Sequence, residues 1–338
     1  MDVPSLLSRL LARQDLTAPE ARVLFDALMD GRLEPPALAA LLTALAAKGE
    51  CVEELVGAAE ALRARAVAVR LPPGVPAIDT CGTGGDGRPI LNVSTCAAIV
   101  AAAAGATVAK HGNRSNTRPS GSAEVLAALG VNIEAGVPVL ERCLERCGIA
   151  FLYAPRLHPT MRHVAPVRKL LGIRTIFNLL GPLANPAGVR RQLVGVSRPD
   201  LVAPMLAALR HLGAERAMVV HGRDGLSDLT IAGSSLVGRW DGRTTDFVEV
   251  SPGEADCVCG STADLCVSAP AESAARVRSV LNGEPGPGLE IVTLNTAAAL
   301  WVSGLVETLA SGGRRARAAI ESGAALRKLD EWIAISHN

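Results

Sequence analysis

The sequence predicts an α/β protein, with a small all-helical N-terminal domain followed by a larger α/β domain on a central, mostly parallel sheet. Three observations predict it. Residues 1–70 carry apolar positions at helical spacing. The Pro-rich segment LPPGVPAID at 71–79 then changes the character of the chain and marks a hinge. From Ala77 onward, short β-type runs alternate with Ala- and Leu-rich helical runs, as in a parallel sheet covered by helices.

Each element follows from local chemistry. Leu6, Leu7, Leu10 and Leu11 recur at helical spacing. Thr17 precedes Ala18-Pro19-Glu20, a good helix start, and Gly31 ends that helix. Pro35-Pro36 opens a helix that stops at Gly49, and another runs from Cys51 to about Arg65. Beyond the hinge, the β-type runs are 106–109, 149–152, 217–220 and 290–294. The helical runs between them include 94–104, 123–129, 201–212 and 271–281. In such a sheet a ligand sits at the carboxyl ends of the strands, on loops that lead into helices.

Composition narrows the function. The chain has 338 residues, and 49% of them are hydrophobic, enough for a sizeable core. Aromatic residues make up 2%, too few for base-stacking platforms, and 34 basic residues against 33 acidic leave a net charge of +1. Neither property favours nucleic acid or an anionic membrane. The N-terminus lacks the long apolar core of a signal peptide, and the most apolar run, 97–109, is too short to span a bilayer. Eight scattered cysteines have no metal-site spacing and predict reduced thiols in a cytoplasmic protein.

Three loops carry candidate chemistry. The first, 79–87, places four glycines in the six residues GTGGDG; glycine permits positive φ and close approach of backbone N–H groups to an anion. Asp86 cannot itself hold phosphate, but it can bond sugar hydroxyls or position a neighbouring loop. The second is Asn92-Val93-Ser94-Thr95, with Ser94 and Thr95 where an N-cap is wanted. It reads either as a plain cap or as a helix N-terminus offering N–H groups and hydroxyls to an anion and its Mg²⁺. The third, Lys110-His111-Gly112-Asn113-Arg114-Ser115, gathers cation, amide and hydroxyl at a strand end and suits a polyphosphate.

These motifs resemble the diphosphoribosyl-binding loops of the anthranilate phosphoribosyltransferase family. The likeness continues through 151–186, which includes FNLLGPLANP, and through HGRDGLSD at 221–228, VLNG at 280–283 and LNTAAAL at 294–300. It spans essentially the whole chain. The resemblance implies a fold of the nucleoside phosphorylase/phosphoribosyltransferase type. Its helical domain is 1–70, completed by part of 155–190, and its diphosphoribose-binding α/β domain is 71–338. It also implies a homodimer formed through the helical domain, Mg²⁺ as cofactor, and phosphoribosyl transfer from 5-phosphoribosyl 1-diphosphate to anthranilate in tryptophan biosynthesis. For the donor it implies Gly82, Gly85, Asp86, Asn92, Val93, Ser94, Thr95, Lys110, His111, Gly112, Asn113, Arg114, Ser115, Asn116, Thr117, Arg118 and Ser122. For anthranilate it implies Gly82, His111, Asn113, Arg168 and Pro182. For Mg²⁺ it implies Ser94 and Asp228, with Ser227 as a third candidate.

The chemistry so implied is electrostatic. Pyrophosphate leaves C1 as the amine arrives, so donors and cations on the leaving group matter, and no covalent nucleophile is needed. An arylamine is already unprotonated at neutral pH. Three departures from the family pattern fall on the donor side. Ser227-Asp228 stands where the family usually has Asp-Glu, which predicts weaker metal binding at the second Mg²⁺ site; Ser227 holding a water, or Asp224 after a loop shift, would compensate. Arg118 stands where small residues are usual, either pairing with phosphate in place of metal or obstructing the pocket. Ile90 replaces a small or hydroxyl residue. The alternatives are a diverged phosphoribosyltransferase for another aromatic acid, a catalytically weak ligand- or nucleic-acid-binding paralogue, or an enzyme of phosphorolysis.

Overall fold

The computed structural model of the chain describes residues 2–115 and 118–338. Asn116 and Thr117, both expected at the donor, lie outside the described residues. Four helices open the chain: α1 (Val3–Leu11), α2 (Ala18–Met29), α3 (Pro35–Lys48) and α4 (Val52–Arg63). Thr17 caps α2 by accepting from the Glu20 N–H, and Glu20 accepts from the Thr17 N–H in return, the reciprocal pairing of a capping box. Pro35 and Pro36 fill the first turn of α3, where a missing N–H costs nothing, and Gly49 ends it at φ 88°. The α2 and α4 backbones pack so closely that a Cβ on Gly57 would come within 2.3 Å of the Ala18 carbonyl oxygen. Buried Glu54 ties the group together, accepting from the Leu16 N–H at 3.0 Å and from Lys48 Nζ at 3.0 Å.

The α/β part begins with β1 (Ala77–Asp79), α5 (Val93–Ala103), β2 (Thr107–Gly112), α6 (Ser122–Leu129), α7 (Val137–Arg146) and β3 (Ile149–Tyr153). The chain then turns through α8 (Ala154–Leu157), α9 (Ala165–Leu171) and α10 (Phe177–Leu183). Of these, α9 packs on α3 and α10 on α4, so their apolar side chains join the helical group's core. The chain returns through β4 (Arg191–Gly195), α11 (Val202–His211), β5 (Arg216–Gly222), β6 (Ser235–Trp240) and β7 (Thr245–Val250). Helices α12 (Pro270–Leu281), α13 (Pro287–Ser303), α14 (Leu309–Glu321) and α15 (Ala324–Ser336) close it.

The seven strands form one sheet in the order β3-β2-β1-β4-β5-β6-β7. The first five are parallel, and β6 and β7 are antiparallel. From β1 the chain proceeds outward to β2 and β3, then crosses back to lay β4 on the other side of β1. That reversal opens a crevice at the carboxyl ends of β1 and β4, where open α/β sheets bind ligands.

Two expectations need correcting. Residues 290–294 are not a strand but the first half of α13, a helix buried on almost every side. A helix without a solvated face has no polar periodicity, so a short run such as EIVTL cannot be told from a strand by pattern. Pro287 at its start and Gly304 at its end, φ 82°, were the available signals. The sheet also gains β4 and the β6–β7 hairpin, which the run-by-run reading did not name. Asp241 organises the hairpin turn by accepting from the Arg243 and Thr244 N–H groups at 2.8 and 2.7 Å.

Candidate functional site

The loops after β1, β2 and β5 meet at the crevice, with β4 between them. Gly195, the last residue of β4, sets the spacing on both sides. The Thr83 N–H donates to the Gly195 carbonyl at 2.8 Å, and a Cβ on Gly82 would come within 2.9 Å of that oxygen. A Cβ on Gly195 itself would sit 1.6 Å from the Ser227 carbonyl oxygen. The glycine loop and the loop of residues 222–230 therefore stack on β4 at backbone contact, which only glycine permits. Gly84 and Gly85 adopt φ of 61° and 82°.

Beneath the glycine loop lies an inner cluster at the strand ends. Asp79 is fully buried; it accepts from the His111 N–H at 3.1 Å and from Asn185 Nδ2 at 2.8 Å. Burial raises its carboxyl to about 6, against the opposing pull of the Lys110 charge and these hydrogen bonds. Lys110 is also buried, and its Nζ donates to the Thr80 carbonyl and hydroxyl at 3.1 and 3.2 Å and to Ser94 Oγ at 3.4 Å. Burial lowers the Lys110 ammonium, and Asp79 partly offsets this. The ammonium therefore lies at the N-terminus of α5.

That N-terminus differs from the expected cap. The helix starts at Val93 with Asn92 at the N-cap, and Ser94 and Thr95 lie inside the first turn. Asn92 makes no capping bond because its amide is engaged elsewhere: Nδ2 donates to the Ser120 carbonyl at 3.1 Å, and Oδ1 accepts from the Ser120 and Ser273 hydroxyls, both at 2.8 Å. Val93 is buried in the core. Among the described residues, the Val93, Thr95 and Cys96 N–H groups have backbone acceptors and that of Ser94 does not. Ser94 therefore presents both an N–H and a hydroxyl.

His111 lies deeper than a residue lining an open pocket. Its Nδ1 meets the Gly181 carbonyl at 2.8 Å, so Nδ1 carries the proton and the buried, unpartnered Nε2 is the acceptor. Burial depresses its pKa to about 4 and that of His158, 5.1 Å away ring to ring, to about 3. Both rings are neutral at physiological pH. Pro182 is buried in α10, its carbonyl accepting from Gln192 Nε2 at 2.5 Å. Arg168, on α9, sets its guanidinium 5.3 Å from the Phe177 ring centroid and makes no ion pair among the described residues. Burial lowers its pKa without removing its charge.

The third loop leaves β2 with Gly112 packed under Ser122 and Phe151. Asn113 and Arg114 are exposed; Arg114 Nε donates to the Tyr153 hydroxyl at 3.0 Å, and Ser122 Oγ to the Asn113 carbonyl at 3.1 Å. Ser115 Oγ accepts from the Arg118 N–H at 2.8 Å. Arg118 then crosses to the glycine loop. Its guanidinium pairs with Asp86 and donates to Ser227 Oγ at 3.0 Å. Asp86 also accepts from the Ser227 hydroxyl and N–H at 2.7 and 3.0 Å. Burial alone would raise Asp86, but Arg118 and Ser227 outweigh it and hold the carboxyl below its ordinary value. Asp228, next in sequence, keeps some solvent contact, yet desolvation raises it to about 7 against the pull of Arg118.

The sequence reading missed three residues of this site. Asp79 and Asn185 hold the inner cluster, and nothing in an Ile-Asp or Ala-Asn-Pro run signals that they meet. Arg174, between α9 and α10, lies against Gly84 and Gly85 and donates to the Gly84 carbonyl at 3.4 Å. Asp224, a possible substitute metal ligand by sequence, is instead engaged by the Thr230 and Thr262 hydroxyls at 3.0 and 3.3 Å. Ile90 is buried and bridges to Cys266.

Comparison with known proteins places this geometry. Residues 74–326 match the family model described as glycosyl transferase family, a/b domain, and residues 4–66 match its helical bundle domain. The anthranilate phosphoribosyltransferase of Rubrobacter xylanophilus is 48% identical, over 98% of this chain and 96% of that protein. The chain belongs to the anthranilate phosphoribosyltransferase family. The enzyme of that name from a Bradyrhizobium species is 44% identical, over 100% of this chain and 99% of its own length. Among solved structures, that of the Thermus thermophilus family member superposes with a TM-score of 0.93 at 40% identity, covering 100% of both chains. The Saccharomyces cerevisiae member, in complex with PRPP and Mg, superposes at 0.90 with 26% identity over 99% of this chain and 98% of that one. The yeast protein has also been solved with 4-fluoroanthranilate. Among the described residues, no helix is long and apolar enough to cross a membrane.

Proposed function

We propose that the chain transfers the phosphoribosyl group of 5-phosphoribosyl 1-diphosphate to anthranilate, releasing pyrophosphate, in tryptophan biosynthesis. The observation that carries this reading is the convergence of Lys110 Nζ on Ser94 Oγ at the α5 N-terminus, beside the positive-φ glycines of the crevice. Together they form an anion cradle of N–H, hydroxyl and ammonium groups. Family membership supports it.

The residues divide the work. Gly82 to Gly85 let backbone approach the diphosphate closely. Lys110 and the Ser94 N–H stabilise the charge that grows on it as the bond to C1 breaks. Arg168, which has no carboxylate partner among the described residues, is the partner for the anthranilate carboxylate, which a guanidinium pairs with bidentately. His111 is neutral with Nε2 as acceptor; it fixes the strand end and adds no positive charge beside the developing ribosyl cation. The acceptor amine needs no general base.

Mg²⁺ fits at Ser94, whose hydroxyl oxygen faces the cradle and donates to no group among the described residues. When bound there, it neutralises the leaving pyrophosphate. Asp228 with Ser227 fits a metal poorly, because the Ser227 hydroxyl both accepts from Arg118 and donates to Asp86, whereas that of Ser94 only accepts, from Lys110 Nζ.

We also take residues 1–70 with part of 155–190 as one domain and 71–338 as the other. Two copies would pair through the exposed Leu11 and Val23 of the helical face, and light scattering at twice the chain mass would bear this out. Eight free thiols are consistent with a cytoplasmic setting.

Anthranilate fluorescence tests the central reading. The expected result is loss of signal that requires both the donor and Mg²⁺. Folded protein that consumes no anthranilate at any Mg²⁺ concentration would overturn it.

A further inference from the structure

Three residues read separately from sequence meet in one place. Arg118 reaches from the loop after β2 to Asp86 on the glycine loop and to Ser227 on the loop after β5. The carboxylate of Asp86 is fully buried and Ser227 nearly so, which leaves the guanidinium as the charge that compensates Asp86. Ser227 suits this arrangement. Its hydroxyl accepts from Arg118 and donates to Asp86, a relay that a carboxylate at 227 would replace with repulsion against Asp86. Among the described residues, both of these guanidinium contacts run through Nη2, while Arg118 Nε is buried and has no hydrogen-bond partner. A buried N–H without an acceptor is costly, so the site is incomplete as it stands.

We infer that Arg118 is a built-in cation of the diphosphate site: its guanidinium stands between the glycine loop and Ser227-Asp228 in place of a second divalent ion, and its Nε–H is the donor left for a diphosphate oxygen. This rests on the reading that the crevice takes a diphosphate. A divalent ion on Asp86 and Ser227 would have to displace the guanidinium, which already takes both the carboxylate and the hydroxyl. The chain therefore uses one Mg²⁺, carried at Ser94, and a fixed positive charge on the opposite side. Arg174 is another cation at the glycine loop, but its guanidinium rests on the backbone of Gly84 and Gly85 and makes no ion pair among the described residues.

The test uses inorganic pyrophosphate as ligand and Mn²⁺ as a paramagnetic stand-in for Mg²⁺, so no turnover is needed. Calorimetry gives pyrophosphate affinity, and electron paramagnetic resonance counts bound Mn²⁺. Wild type is expected to bind pyrophosphate with a single Mn²⁺ per chain. Arg118→Met is expected to lose pyrophosphate affinity by roughly tenfold to a hundredfold, the effect of one charge-assisted donor, and to admit a second Mn²⁺. Arg118→Lys keeps the charge without the planar fork; it should lose affinity to a smaller degree and still hold a single Mn²⁺. This milder variant serves if Arg118→Met does not fold.

Two Mn²⁺ per wild-type chain would overturn the inference. So would unchanged affinity in Arg118→Met, or wild type that binds no pyrophosphate. The anthranilate assay separates the two claims. Turnover with two Mn²⁺ bound sinks only the role of Arg118. A single Mn²⁺ with no turnover sinks only the proposed reaction.

Discussion

The crevice contains two carboxylate–cation clusters, and they are built differently. The inner one, Asp79 with Lys110 and Asn185, stands on strand ends whose positions the sheet fixes. Asp79 even accepts from the backbone N–H of His111 on the neighbouring strand. The outer one, Asp86 with Arg118 and Ser227, hangs on three loops and is closed by side chains alone, apart from the Ser227 and Arg88 N–H groups. The first cluster belongs to the architecture, and its loss reaches the whole fold. In the second, the Asp86–Arg118 pair is buried, but Ser227 can be exchanged at small cost to stability, which is where a chain can change its metal use without changing its fold.

The largest test of that contrast is Asp79→Ala. It strands the His111 N–H, removes one of the two acceptors of Asn185 Nδ2, the other being the Ala109 carbonyl, and leaves Lys110 buried without its counter-charge. A loss of about 3 to 5 kcal/mol in urea unfolding is expected. A loss below about 1 kcal/mol would put the inner cluster on the same footing as the outer one.

Acid provides the next test. His158 is neutral in the fold, with its pKa lowered to about 3 by burial and by His111, while in the unfolded chain it protonates near 6.5. Its contribution is present above pH 6.5 and is lost as pH falls. Relative to wild type, His158→Asn should gain about 1.4 kcal/mol for each pH unit between about 6 and 4. Asp79, raised to about 6, acts in the opposite sense: its contribution is present in acid and lost as pH rises through 6. Comparing variant with wild type cancels it. Parallel stability–pH curves would show that His158 is not held neutral.

Arg168 sharpens the contrast from a third side, as a cation outside both clusters. Arg168→Gln should raise KM for anthranilate roughly tenfold to a hundredfold and leave KM for the donor unchanged. Equal effects on both substrates would detach Arg168 from the acceptor. The smallest effect belongs to Ser227→Ala, expected to cost about 1 kcal/mol or less in unfolding, because Arg118 still pairs with Asp86. A cost near that of Asp79→Ala would make the outer cluster architectural as well.

Much of this was legible along the chain because its signals are local. Thr17 with Glu20, Pro35 before an apolar stripe, and Gly49 after it are matters of a few neighbouring residues. The GTGGDG, NVST and KHGNRS loops pointed to the family and to a candidate anion site. Legibility failed where a residue's state depends on distant neighbours. Residues 290–294 look like a strand because α13 is buried all round, and that burial is a tertiary fact. Asn92 looked like a ligand group, yet Ser120 and Ser273, remote in sequence, take its amide. Asp224 looked available as a metal ligand, yet Thr230 and Thr262 hold it.

By itself, then, the sequence determined the fold class and most starts and stops of the N-terminal helices, since each depends on backbone propensity and short-range spacing. Only the tertiary structure decided that Gly195 stacks two of the crevice loops at backbone contact. It alone joined Asp79 to Asn185, left the Arg118 Nε–H without an acceptor among the described residues, and brought Arg118, Asp86 and Ser227 together. The physical reason is that charge and hydrogen-bond partners are chosen by distance in space, and residues 86, 118 and 227 become neighbours only when the sheet reverses its strand order between β1 and β4.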